Sequence, residues 1–130
     1  MENYTDIKTF EDACQVEGLD AAKVIPDFAF FPEKDRNAMQ AISKLVIIAK
    51  AVNRLANDGK EWIPDWNDYS ERKYELWFGM DDDGSSGFRF DVIDDWISFS
   101  NVGSRLCFLS REVGKHVGET FLDLYKEFFK

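Results

Sequence analysis

The stretch PEKDRNAMQAISKLVIIAKAVNRLA, Pro32 to Ala56, predicts the longest element of the chain, an amphipathic helix. Pro32 suits a first helical turn, where the carboxylates of Glu33 and Asp35 complement the helix dipole. Apolar residues then recur at steps of three and four, the period of a helical face. That stripe consists of Ala38, Met39, Ile42, Leu45, Val46, Ala49, Val52, Leu55 and Ala56, broadened by Ile47 and Ile48. We expect this helix, ended by the turn at 57–59, to be the buried spine of the fold.

A shorter helix is predicted ahead of the spine. Thr9 is a suitable N-cap for it, and Gly18 is a natural stop. Asp20 then caps a single turn that ends before Pro26. The apolar run FAFF, 28–31, follows, and we expect it to tether the chain to the core.

A last helix is predicted after Ser110, which is a suitable N-cap. Its apolar residues are spaced four, four, three and four, and they form one face: Val113, Val117, Phe121, Leu124 and Phe128. Gly114 and Gly118 lie beside that face, where a missing side chain lets a helix approach a sheet closely.

Between these helices the apolar period changes to two, which is typical of strands. Four short strands are predicted around four sets of alternating apolar residues: Tyr74, Leu76, Phe78 and Met80; Phe88, Phe90 and Val92; Ile97 and Phe99; Leu106 and Phe108. The order of elements predicts one α+β domain over residues 1–130. It comprises N-terminal helices including one long buried helix, a three- to four-stranded antiparallel meander, and a C-terminal helix packed on the sheet.

The charge of the chain is concentrated in one region. The formal net charge is −9, and residues 74–100 hold seven acids against Arg89 alone, a net of −6, so the rest carries −3. Phosphate neutralisation needs clustered lysines and arginines, so direct binding to nucleic acid or to an anionic membrane is disfavoured.

The beginning of the chain, MENYTDIKTFEDA, lacks the pattern of a signal peptide. The longest apolar run, Leu45 to Ala49, is far shorter than the roughly 20 residues that span a bilayer. Cys14 and Cys107 are then expected to be free thiols. These features predict a cytoplasmic protein.

The acidic stretch FGMDDDGSSGFRFDVIDDW, 78–96, is the first candidate site. It is not an EF-hand, because aligning Gly84 with the sixth loop position puts Gly79 first and Phe90 twelfth, and neither side chain can bind calcium. Three interpretations remain open: a solvated acidic turn, a magnesium site, and a surface that binds a partner. We hypothesise the last, with no metal or cofactor. The aspartates would steer the encounter and the tryptophans would anchor it: Asp81, Asp82, Asp83, Asp91, Asp94, Asp95, Trp77 and Trp96.

A second hypothesis is single-stranded nucleic-acid binding, by stacking of bases on rings that stand next to a cationic stripe. The rings are Trp62, Trp66 and Tyr69, and the stripe is Lys44, Lys50 and Arg54. A simpler interpretation is that the rings close the core and the cations form a solvated face. A metal-dependent hydrolase using the aspartates of the acidic stretch 78–96 is a third possibility. Phosphate-binding and CxxC motifs are absent, and His116 with Cys107 is a poor nucleophilic pair, so no catalytic residue is predicted.

Four blocks of the chain resemble, in the same order, small proteins encoded by phages, prophages and other mobile elements of Bacteroides-type gut bacteria. The blocks are FEDACQVEGLDAAKVIPDF, FPEKDRNAMQAISKLVIIAKAVN, the W-x-P-D-W segment at 62–66, and VGSRLCFLSREVGKHVGETFLDLYKEFF. The resemblance implies an origin in a mobile-element genome and transfers no site residue. We therefore expect a non-enzymatic accessory protein that binds a host or phage protein, and mimicry of a nucleic-acid backbone is one way in which it would do so.

Overall fold

The computed structural model describes residues 1–68, 70–79, 89–96 and 105–129, with only the backbone for residue 89 and residues 91–96. Its elements follow in chain order, with a 3-10 turn ahead of each of the first two helices. They are the turn Tyr4–Asp6, α1 Phe10–Glu17, the turn Glu33–Asp35, α2 Arg36–Ala56, β1 Lys73–Gly79, β2 Arg89–Trp96, α3 Arg111–Thr120 and α4 Leu122–Phe129. The described part of the chain is therefore mostly helical.

Helix α1 begins and ends where the sequence predicts. The Thr9 hydroxyl accepts a hydrogen bond from the Asp12 backbone N–H at 3.1 Å, and the Asp12 carboxylate accepts one from the Thr9 N–H at 3.0 Å. This reciprocal capping box satisfies N–H groups that a helix start leaves unpaired. Gly18 ends the helix with a φ of 70°, a left-handed conformation that favours glycine.

Helix α2 is the spine that its periodicity predicts. Its fully buried residues are Ala41, Leu45, Ile48, Ala49, Ala51, Val52 and Asn53. The buried face is thus narrower than the predicted stripe, since Met39, Ile42 and Val46 are only half-buried. The helix ends at the predicted turn, where the Gly59 N–H, at a φ of 80°, donates to the Arg54 carbonyl at 2.9 Å.

The prediction of a three- to four-stranded meander is wrong. The described residues contain a two-stranded antiparallel ladder, β1 with β2. The segment predicted as a fourth strand is reduced to one isolated bridge, in which Phe108 exchanges both backbone hydrogen bonds with Tyr74, at 2.9 and 3.1 Å. The predicted third strand, around Ile97 and Phe99, lies outside the described residues.

The physical reason for the single bridge is a side chain of α2. Asn53 donates to the Cys107 carbonyl at 2.9 Å and accepts from the Leu109 N–H at 3.1 Å. These groups flank Phe108, so the segment is held between β1 and the spine rather than continued as a strand. Asn53 is buried with both its amide nitrogen and its amide oxygen hydrogen-bonded, and it fixes this segment to α2.

The C-terminal helix is divided in two. Helix α3 begins at the predicted cap, since the Ser110 hydroxyl accepts from the Val113 N–H at 3.3 Å. It ends at Thr120, and the backbone of its C-cap residue, Phe121, leaves the helical region at φ −114° and ψ 29°. Tyr125, rather than the predicted Leu124, is the buried residue of α4, and Phe128 is partly exposed.

Gly118 on α3 faces the ring of Phe90 on β2. A side-chain carbon at position 118 would collide with that ring, so the glycine permits the close approach of helix and sheet. Of the two glycines predicted to allow close packing, Gly118 is seen to do so, against β2.

The core joins α1, α2, α3, α4 and residue 108 in one cluster, onto which the β1 residues Tyr74, Leu76 and Phe78 pack. The FAFF run tethers the chain poorly, contrary to expectation, because Phe30 is fully exposed and Phe31 is 40% exposed. The Arg36 guanidinium instead holds this segment, donating to the carbonyls of Phe31 at 2.9 Å and Ala29 at 3.0 Å.

Candidate functional site

The centre of β1 exposes a tryptophan. Trp77 has 53% of its surface exposed, although its neighbours Leu76 and Phe78 pack on the core. This follows from the strand geometry, because successive side chains point to opposite faces. An indole exposed to this extent in a strand is a common anchor in protein interfaces.

The ladder is irregular beside this tryptophan. Trp77 lies opposite Val92, but Phe78 lies opposite Phe90, so Asp91 is an additional residue in β2. An additional residue of this kind is a β-bulge, which increases the local twist and is frequent next to functional sites. The predicted contact residue Asp91 therefore stands at the bulge, next to the position opposite the exposed tryptophan.

The other predicted acids are located only in part. In the ladder, Asp94 lies opposite Glu75, Asp95 opposite Tyr74, and Trp96 opposite Lys73. The backbone register thus places two acidic positions, 75 and 94, opposite each other in the ladder. The predicted residues Asp81, Asp82 and Asp83 lie outside the described part of the chain.

The opposite end of β1 is covered by the preceding loop. Lys73 is completely buried, and its ammonium donates to the carbonyls of Asp68 at 3.3 Å and Glu71 at 3.2 Å. The Glu71 carboxylate lies 3.3 Å from the same nitrogen, and the Trp66 ring packs over it at 5.2 Å. Trp66 therefore closes the core here, and the exposed part of β1 is the end that carries Trp77.

The three cations proposed for nucleic-acid binding are engaged within the helical body. The Arg54 guanidinium binds the Glu17 carboxylate with two contacts, at 2.7 and 3.2 Å, which raises the pKa of Arg54. The Lys50 ammonium lies 3.1 Å from the Glu61 carboxylate, and Lys44 packs over the Phe10 ring. Such an arrangement leaves little charge to neutralise phosphates. Tyr69, the third proposed ring, lies outside the described residues.

The thiols and the histidine have structural surroundings. Burial raises the pKa of the Cys107 thiol to about 12 and also raises that of Cys14, so neither is a ready nucleophile. His116 donates from Nε2 to the Ile7 carbonyl at 2.7 Å, and the Tyr4 ring packs edge-on against it. In residues 1–68, 70–79, 89–96 and 105–129, no three acids, cysteines or histidines are grouped to hold a metal.

A cleft of about 400 Å³ separates α2 from the loop that follows it. It is lined by Val46, Lys50, Asn53, Glu61, Trp62, Ile63, Pro64, Trp66, Arg105 and Cys107. The sequence identifies the two tryptophans as candidates but not Arg105, because a single arginine at the start of a short apolar run belongs to no recognisable pattern.

Among the helices that the structure describes, none is long and apolar enough to cross a membrane. A scan against protein-family models gives no match, and neither do searches of the curated proteins and of the solved structures. The function is therefore argued from the surface of this chain.

Proposed function

We propose that the protein is a non-enzymatic binding protein that contacts a basic surface of another protein through the β1–β2 hairpin. The observation that carries the proposal is Trp77, 53% exposed in the middle of a strand, within a segment of net charge −6. The acids provide long-range attraction and the indole provides an apolar anchor.

The acids and the tryptophans are expected to contribute differently to the interface. Complementary charge accelerates encounter and selects among partners, whereas a desolvated aromatic ring contributes much of the affinity. In this proposal Asp81, Asp82, Asp83, Asp91, Asp94 and Asp95 steer the partner, and Trp77 and Trp96 anchor it. A basic groove that otherwise holds a nucleic-acid backbone is the surface such a hairpin fits best.

The resemblance to mobile-element proteins supports a particular setting. It suggests that the partner is a host or phage protein and that the two meet in the cytoplasm of a bacterial host. An acidic protein that occupies the nucleic-acid groove of such a partner would block that groove without performing any reaction.

The test compares two variants of equal net charge. One changes the six hairpin aspartates to asparagine. The control changes six exposed acids elsewhere to glutamine: Glu2, Glu11, Glu33, Glu112, Glu119 and Glu127. Each protein is immobilised, a bacterial lysate is passed over it at 50 mM and 500 mM salt, and retained proteins are quantified by mass spectrometry.

We expect a protein retained by the wild type and by the control at low salt, lost at high salt, and lost from the asparagine variant at both. Trp77→Ala should weaken the same retention at least tenfold, because an anchoring ring is worth about 1.4 kcal/mol or more. Equal retention by the two six-residue variants would overturn the proposal.

A further inference from the structure

The cleft between α2 and the loop 61–66 has the size and composition of a small-molecule site. Its volume, about 400 Å³, lies within the roughly 300–1,000 Å³ of typical ligand pockets. Two half-buried indoles, Trp62 and Trp66, line it. Between them Ile63 is 72% exposed, a large apolar side chain that nothing in the described chain covers.

Most polar groups of the cleft are already bonded. The Asn53 amide uses its oxygen and its nitrogen to hold residues 107 and 109. Lys50 is paired with Glu61 at 3.1 Å. The thiol of Cys107 is neutral, because burial raises its pKa to about 12. None of these groups is available as a specific ligand contact without losing a partner.

Arg105 is the exception. It is exposed at the cleft, and within the described residues its guanidinium has no hydrogen bond or ion pair. With Lys50, Arg105 and Glu61, the cleft carries a net charge of +1 on a chain of −9. A free guanidinium presents a planar set of donors that matches a carboxylate, and it is weakly hydrated.

We propose that this cleft binds a small carboxylate with a flat apolar body. The body would lie against the Trp62 and Trp66 rings, and the carboxylate would bind the Arg105 guanidinium. This site is separate from the β1–β2 hairpin, so its test is independent of the test of the proposed function.

The test uses three probes with the same body and different charge: 4-phenylbutyrate, 4-phenylbutanol and 4-phenylbutylamine. The readout is the set of indole N–H signals in ¹H–¹⁵N spectra of the whole protein. The chain has four tryptophans, and single Trp→Phe variants assign each signal. Only a ligand in the cleft shifts the signals of Trp62 and Trp66 while leaving that of Trp77 in place.

We expect 4-phenylbutyrate to shift those two signals and to bind at least fivefold more tightly than the alcohol, with the amine weakest. Arg105→Gln should reduce the affinity for the acid to that for the alcohol. Lys126→Gln, which removes an exposed cation of α4 outside the cleft, should leave it unchanged. Trp62→Phe should retain part of the binding.

Three results would overturn this site. One is the absence of shifts at millimolar probe, and another is equal affinity for the three probes, which would indicate an apolar patch without charge selection. The third is a shift of the Trp77 signal alone. Arg105 is exposed, so loss of binding in Arg105→Gln cannot be attributed to unfolding if the spectrum keeps its dispersion.

Discussion

The helical body, which consists of α1 and α2, differs from the β1–β2 hairpin in the balance of its acidic and basic residues. In the body, cations are matched to acids, as in the contact of Arg54 with Glu17, whose side chain is nearly buried. In the segment 74–100, seven acids stand against one arginine. The body thus pairs these cations with its own acids, whereas the segment 74–100 has too few cations to balance its acids. Our proposal therefore assigns folding to the helical body and recognition to the hairpin.

The largest expected effect on stability is the difference between Phe108, which is buried beside β1, and Trp77, which is exposed in β1. Phe108→Ala should destabilise the protein by about 3–5 kcal/mol, because it empties a fully buried position of the core. Trp77→Ala should change the free energy of unfolding by less than about 1 kcal/mol, since half of that ring is already in water. Urea denaturation followed by circular dichroism measures both. Similar losses for the two variants would show that Trp77 stabilises the fold, which would contradict its description as a surface residue.

The next-largest expected effect concerns Asn53, which links α2 to residues 107–109. Asn53→Ala leaves the Cys107 carbonyl and the Leu109 N–H without their partners, and it should cost about 2–3 kcal/mol. Asn37→Ala, at an exposed position of the same helix, is the control and should cost nothing measurable. The same denaturation experiment applies. If the two variants were equally stable, residues 107–109 would not be held as the structure indicates.

A smaller loss is expected where the hairpin packs on α3. Gly118→Ala introduces a methyl group against the Phe90 ring and should destabilise by about 1–2 kcal/mol through overpacking. Phe90→Leu in the same chain should recover part of this loss, because the smaller side chain leaves room for the methyl. A double-mutant cycle of unfolding free energies measures the coupling. Strictly additive effects would show that the two residues do not touch.

The smallest effect concerns the cap of α1. Hydrogen bonds from the backbone of Lys8, and then from Thr9, hold the pKa of Asp12 below its ordinary 3.8. The folded state therefore favours the carboxylate, so this stability is present above the ordinary pKa and is lost as the pH falls through the folded pKa. Asp12→Asn should cost up to about 1 kcal/mol at pH 7, and the difference from wild type should shrink below pH 3.8.

The control for the cap is Glu11→Gln, which removes a charge from the same first turn and leaves the capping box intact. Thermal unfolding from pH 7 down to pH 2.5 measures both variants. A constant difference between Asp12→Asn and wild type across that range would contradict the assignment of the shift to the cap.

The helices could be predicted from the sequence because their signals are local. Thr9, Gly18 and Ser110 act on backbone groups within a few residues, and the period of α2 follows from its own side chains. The sheet could not be predicted in the same way. Whether residues 106–108 continue a ladder depends on Asn53, which is 54 residues away from its acceptor, Cys107, in the chain.

In the candidate sites, too, local features could be predicted from the sequence and long-range packing could not. Alternation in β1 correctly separates Trp77 from the core-facing Leu76 and Phe78, so the exposure of this tryptophan could be predicted from the sequence. The sequence also indicates Trp62 and Trp66 as candidate site residues, but it does not indicate the cleft that they line. The cleft forms only when the loop packs beside α2, and that packing brings Arg105 to the tryptophans.

Hydrogen–deuterium exchange with the retained partner bound tests the central claim most directly, because it reports where the partner lies on the chain. We predict that binding slows exchange in β1 and β2, strongest around Trp77, and leaves α1 and α2 at their unbound rates. Slower exchange confined to the helices or to the loop 61–66, with the hairpin unchanged, would contradict the assignment of recognition to the hairpin.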